Sequence, residues 1–321
     1  MTRPPSLITQ AGPKTPCALR TLRHWFDTRD SDAPPDPRSA ERIDWLRAAP
    51  FLILHLACLG AIWTGVSATA LAVAAGLYAV RMFALTGFYH RGFSHRTFRA
   101  RRPVQLLFAV IGAACVQRGP LWWAAHHRNH HRNADTARDP HSPRIHGFIW
   151  SHMGWFLTRG AFRTDLARVQ DLAKYPELRW LDRYDVAVPA LLAAALYVLG
   201  GVLQRFAPQL GTDGPQLLVW GFCISTVALF HATVTINSLA HRWGSRRFRT
   251  CDDSRNNVLL ALLTFGEGWH NNHHHFPGTA RQGFRWWEID LTWYGLRLLA
   301  ALGLISGLKP LPARVLAAAR R

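Results

Sequence analysis

Four apolar stretches dominate what this chain can fold into. Residues 50–66, 69–89, 186–206 and 215–236 are each close to one bilayer thickness when helical. Inside hydrocarbon only a helix or a closed barrel satisfies its own backbone polar groups, and runs of this length select the helix. Arg81 is the one charge in the second stretch, Arg205 lies near the end of the third, and His231 is the one ionisable residue in the fourth. The expected class is an all-α integral membrane protein with four transmembrane helices.

The segments between the spans orient them. The links around Ser67 and over 207–214 carry no Lys or Arg. The N-terminal arm, the segment 90–185 and the C-terminal third hold nearly all of the basic charge, and the net charge is +19. By the positive-inside rule those three segments are cytoplasmic, with both termini on that side. This organisation divides the chain into a disordered or surface-lying arm (1–48), one membrane domain (49–308) and a basic tail (309–321). Within the domain, 90–185 and 237–308 form a cytoplasmic helical cap. The arm, rich in Pro, Arg and Asp, has no apolar stretch of a cleavable signal. Two weaker apolar runs, 104–116 and 291–308, read as interfacial or packed helices, the second because Arg297 interrupts it. Four spans exclude a nucleic-acid binder as the meaning of the basic charge.

The five cysteines stand far apart and offer neither a disulfide framework nor a zinc ribbon. The 17 histidines cluster instead. One cluster, His90-Arg-Gly-Phe-Ser-His95, directly follows the second span. A second is His126-His127-Arg-Asn-His130-His131, and a third is His270-Asn-Asn-His273-His274-His275. Asn237 and His241 follow the fourth span. His127, His130 and His131 stand at i, i+3 and i+4 and share a helix face, as do His270, His273 and His274. Asn237 and His241 share one at i and i+4. His90 and His95 sit about 140° apart on a continuous α-helix. They converge only if the helix ends between them, which Gly92 permits.

Imidazole suits zinc, copper, iron and nickel. Nine converging rings exceed the four donors of a single zinc site. Two metals of four or five donors each would use them all, as metal sites between facing helices do. His55, His152 and His231 stand alone and read as ordinary packed or interfacial residues.

The segments HRGFSHRTF (90–98), HHRNHHRNADTARDPHSPRIHGFIWSHMGW (126–155), NSLAHRWG (237–244) and GEGWHNNHHHFP (266–277) resemble the membrane-bound fatty acyl desaturases of the stearoyl-CoA Δ9 type. Their order and separation match as well, over roughly residues 45–300. The resemblance implies a di-iron site bound by His90, His95, His127, His130, His131, His241, His270, His273 and His274. It also implies that Asn237 holds an iron through water. Glu267, Asp135 and Asp139 match acidic positions that fix imidazole tautomers. The implied reaction uses O2 and two electrons to remove hydrogen from two adjacent carbons of an acyl chain, leaving a cis alkene, most plainly at Δ9. The implied acyl tunnel is walled by spans two and four, with Trp122, Trp123, Trp155 and Trp269 as candidate lining. Its closed end lies about three turns before the first box, where Tyr78, roughly 18 Å from His90 by helix rise, would plug it and Ala74 would leave it open.

Members that take acyl-CoA often carry Arg-Asp before the second box. Here Ala125 and His126 stand there, while Arg159 keeps one later basic position beside Gly160. The acyl carrier is therefore open among CoA, a carrier protein and a phospholipid of the membrane. Electrons are expected from a separate ferredoxin or rubredoxin with its reductase, drawn to the basic face. The bacterial inner membrane is the expected site. A fatty acyl or alkane hydroxylase of the same chemistry is the nearest rival. A non-enzymatic metal carrier is remote, because it would want acidic or histidine side chains within the spans.

Overall fold

The computed structural model describes residues 25–28 and 40–317, so most of the expected N-terminal arm and the last residues of the tail lie outside the described residues. Among the described residues four helices are long and apolar enough to cross a membrane: Trp45–Thr64, Ala68–Ser94, Ala187–Phe206 and Gly214–His241. The first begins as α1 (Trp45–Ala57), capped by the carboxylate of Asp44, which accepts from the Arg47 amide. The second is α2 (Ala68–Phe83), capped by Ser67 and continued without a break as a π-helix, Ala84–Ser94. Helices α3 (Arg102–Ala113), α4 (Pro120–Asn133) and α5 (Pro176–Arg183) follow. The third span is α6 (Ala187–Phe206), and the fourth ends in α7 (Ser225–Ser238) with a 3₁₀ turn to His241. Helices α8 (His270–His275) and α9 (Leu291–Ala301) complete the set used below.

Spans two and four run about five residues past their expected ends, and those extra turns carry His90 and His241. Trp63 and Phe206, each 79% exposed, stand for the apolar side chains that the spans turn outward. Such a surface suits hydrocarbon rather than water. Arg81, the one charge within residues 69–89 of span two, is turned inward. It donates to the carbonyls of Leu77 and Ala114 and to the hydroxyls of Thr226 and Ser225. A guanidinium at that depth persists only with its donors satisfied by protein.

The two short links lie together at one end of the bundle. Ser67 Oγ donates to Gln216 Oε1 at 2.6 Å, Gln216 Nε2 to the Thr64 carbonyl at 2.9 Å, and Trp220 Nε1 to the Gly65 carbonyl at 2.7 Å. Gly65 has φ of +63°, so the turn there calls for glycine.

At the opposite end, α3, α4, α5, α8 and α9 form a helical layer over spans two and four. The main apolar core lies at that junction, with Leu85, Phe88, Tyr89, Leu121, Leu178, Leu229 and Leu296 buried. The segment 291–308 does not cross: α9 has 11 residues, after which β2 (Ile305–Ser306) pairs antiparallel with β1 (Arg99–Ala100). Val315, in the expected tail, is buried against Phe248 and Phe284.

Candidate metal centre

The π-helix is what brings the first two histidines together. The chain does not break at Gly92; it widens, and the His95 amide bonds the His90 carbonyl at 3.2 Å, an i to i+5 contact. The two rings then lie 4.9 Å apart. Arg96, with φ of +53°, ends the turn just beyond. Arg128 on α4 donates to the carbonyls of Phe93 and Ser94 and pairs with Asp171. It thereby locks the open helix end against the helix that carries His127.

Nine ring nitrogens converge into two groups. His90, His95, His127, His131 and His273 form one; His130, His241, His270 and His274 form the other, with donor atoms in each within 4.8 Å of one another. Each HxxHH segment straddles both groups. The i, i+4 pairs His127/His131 and His270/His274 serve one group each, while His130 and His273 turn to the other.

Carboxylates fix the rings from behind. His90 Nδ1 donates to Glu267, His241 Nδ1 to Asp135 at 2.8 Å, and His130 Nδ1 to Asp139 at 3.0 Å. Asp139 also takes the amides of Asp135 and His141, so it is turn and acceptor at once. One such carboxylate and one neighbouring amide are not marked in the sequence. Asp252 accepts from His274 Nδ1 at 2.9 Å, and Gln282 Nε2 lies 3.3 Å from both His90 Nδ1 and His273 Nδ1. Asp252 lies 22 residues before His274 in no recurrent spacing, so no sequence signal marked it. Arg91, buried between Glu267 and Asp290, holds Glu267 in place.

The electrostatics favour neutral, donor-ready rings. Burial first, and then the neighbouring imidazoles, push His127, His131, His270 and His273 well below the ordinary histidine range. Burial would raise the carboxyl of Asp252, but the hydrogen bond and charge of His274 outweigh it and hold the acid below its usual range. Asp135 is held low in the same way by His241 and Ser142. At His130 burial is outweighed by the charge and hydrogen bond of Asp139, which raise the ring above its ordinary range.

The donor set fits two cations. His130 and His274 each give their Nδ1 proton to a carboxylate, so their facing Nε2 atoms, 3.4 Å apart, both present lone pairs. His241 and His270 approach Nε2 to Nε2 at 3.0 Å, and His95 and His127 at 2.7 Å. The two lone pairs of His130 and His274, facing each other in a buried site, call for a positive charge between them.

An apolar cavity of about 550 Å³ adjoins the centre. Trp123, His127, Trp155 and Asn237 are in its wall, and Trp123 stacks on His127 with ring centroids 5.0 Å apart. Spans one, three and four add apolar side chains such as Phe51, Ala193 and Phe222, and the segment 116–118 and Trp122 close another side. Span two contributes nothing to this wall, contrary to expectation. Tyr78 instead donates its hydroxyl to the Leu263 carbonyl at 2.6 Å, and Ala74 accepts from Ser225. Leu263, which holds Tyr78, lies outside the cavity wall, whereas Ser225 belongs to span four, so neither Tyr78 nor Ala74 reaches the cavity. Arg159 is exposed and also lies outside the lining, which has Arg47 and Arg118 as its guanidinium groups. Trp269 is buried with its indole on the Ile289 carbonyl, again outside the wall.

The sequence profile described as Fatty acid desaturase matches residues 63–303. The chain belongs to the fatty acid desaturase family. Among characterised desaturases, it is 36% identical to the sn-1 stearoyl-lipid 9-desaturase of Anabaena variabilis over 84% of this chain and 94% of that one. It is 37% identical to the Delta-9 acyl-lipid desaturase 1 of Arabidopsis thaliana over 85% of each. It is 40% identical to the Icosanoyl-CoA 5-desaturase of Limnanthes douglasii, over 66% of this chain and 57% of the relative. The match to that desaturase and to two similar Anemone leveillei relatives spans 57–64% of their lengths.

Proposed function

We propose that this desaturase introduces a cis double bond, at Δ9, into a saturated fatty acyl chain, using O2 and two electrons. The observation that carries the reading is the pairing of the five-plus-four histidine groups with an apolar cavity that has His127 and Asn237 in its wall. Support for Δ9 comes from the relatives that align along most of this chain, which are named for position 9, whereas the acyl-CoA relatives named for position 5 align over a shorter part.

In this reading the nine histidines would hold two iron ions, and Asn237 would help to hold one of them through water. Those ions would supply the activation of O2, chemistry that belongs to the cofactor. Everything else falls to the chain. Glu267, Asp135, Asp139 and Asp252 keep the Nδ1 protons and leave each Nε2 free to bind. Trp123 and Trp155 give the acyl chain a flat apolar wall beside His127. A cavity of this size lies within the range of ligand pockets and keeps bulk water from the reacting carbons.

The carrier best supported is a membrane lipid. The family positions that meet CoA are Ala125 and His126 here, and Arg159 stands outside the cavity. The basic segments and both termini face the cytoplasm of a bacterial inner membrane, where the positive surface would receive an acidic ferredoxin or rubredoxin. The test is lipid profiling of a desaturase-deficient host that expresses the chain, beside a His130→Ala variant. We expect Δ9 monoenes in the lipids with the unaltered chain and none with the variant. Hydroxylated chains in place of alkenes, or alkenes formed equally by the variant, would overturn the reading.

A further inference from the structure

His55 on α1, His231 on α7 and His152 on the π-turn Trp150–Gly154 are unremarked singly, and in the structure they meet in a row. His55 Nε2 lies 3.1 Å from His231 Nε2, and His231 Nδ1 lies 3.0 Å from His152 Nε2. At one end His55 Nδ1 lies 2.8 Å from the Phe51 carbonyl. At the other, His152 Nδ1 lies 2.9 Å from Ser238 Oγ, which itself lies 3.0 Å from the Val234 carbonyl.

Counting protons along this row is decisive. There are four contacts, and each needs one hydrogen. Three neutral imidazoles bring three. The Phe51 carbonyl can only accept, and so can Ser238 while its hydroxyl proton goes to Val234. The row therefore has two closed states. In one, Ser238 turns its hydroxyl from Val234 to His152 Nδ1 and all three rings are neutral. In the other, the hydroxyl stays on Val234 and the row holds one additional proton. The states differ by a single N–H bond made or broken at His152 Nδ1. The Phe51 end passes nothing on, so the row has one door. That door is Ser238, adjacent in the chain to Asn237.

What faces the rings leaves the count to them. Phe51 and Phe230 pack on His55, Phe230 on His231, and Phe148 on His152. Among the described residues no carboxylate forms an ion pair with any of the three.

We propose that His55, His231 and His152 form a one-proton store serving the histidine centre. The proposal rests on the desaturase reading for its purpose. A saturated chain, O2, two electrons and two protons give an alkene and two waters, so every turnover draws protons into a site walled by apolar side chains. The store holds one of the two: in release Ser238 Oγ takes the hydrogen of His152 Nδ1 as it gives its own hydroxyl hydrogen to a water molecule, and refilling reverses the exchange.

The test reads protons rather than product. Zinc-substituted protein with ¹⁵N-labelled histidine, in lipid nanodiscs, is followed by ring ¹⁵N shifts as acid is added; zinc keeps the nine centre rings out of the titration. We expect the three rings to change together in one step that adds one proton per chain. In His55→Phe only two contacts remain for two rings, and two N–H groups satisfy them. Uptake by that variant should therefore move at least one pH unit lower. Should it fail to fold, the unaltered chain still decides, because separate steps or no shared proton would overturn the store. Uptake unchanged in a folded His55→Phe protein would do so too. A chain that shows the shared step and makes no alkene would keep the store and lose only the desaturase reading.

Discussion

Asp252 shows how much of the centre is held by single side chains outside the histidine segments. Its carboxylate is the acceptor for His274 Nδ1. Removing such a partner from a metal-bound imidazole typically weakens metal binding 10–100-fold. Asp252→Ala is therefore expected to lose metal at roughly 10–100-fold lower chelator concentration than the unaltered chain, whereas Asp252→Asn, which keeps an oxygen acceptor, loses less. Equal chelator midpoints for all three proteins would contradict the assigned role. At this scale the sequence was legible where residues repeat. The histidine clusters stand out because their spacing is regular, and Asp135, Asp139 and Glu267 because they match acidic positions of the family that the segments resemble. Asp252, Gln282 and Arg128 act across folds of the chain that no local pattern records. Tyr78 failed for a related reason. A helix register gives the direction of a side chain, but not which neighbour covers it.

At the scale of elements, the apolar runs fixed the spans to within a few residues, because length and composition are what a bilayer selects. The π-helix was not legible. No residue type demands it, and the expected helix end at Gly92 was the simplest way to bring His90 and His95 together. What supports the wide turn is a close approach from α3. A Cβ added at Gly112 would lie 2.2 Å from Tyr89 Cε1, and the Tyr89 hydroxyl donates to the Ala109 carbonyl at 2.8 Å. Gly112→Ala must push the tyrosine that precedes His90. We expect it to cost about 1–3 kcal/mol, the usual range for an overpacked core. Thermal unfolding in detergent would measure that cost, and metal content would fall with it. A variant as stable and as metal-rich as the parent would mean that α3 does not buttress the turn.

For the whole molecule, the testable quantity is orientation. The two links without Lys or Arg lie together at one end of the bundle, and the histidine groups lie at the other. Cys251 is exposed at the histidine end and Gln209 at the link end. With the remaining cysteines replaced by serine, a membrane-impermeant maleimide should label Gln209→Cys on intact cells. It should reach Cys251 only in inverted vesicles, where the cytoplasmic face is open. The reverse pattern would turn the molecule over and place the centre outside.

The short pairing of β1 with β2 carries a consequence for how the molecule comes into being. It ties residues 99–100, just after the first histidine segment, to residues 305–306. The five-histidine group likewise needs both His90 and His273. Span four ends at His241, before α8 and the second strand in the chain, so the early histidines enter the bilayer ahead of their partners. Neither histidine group is complete until the last sixth of the chain has folded back onto the spans.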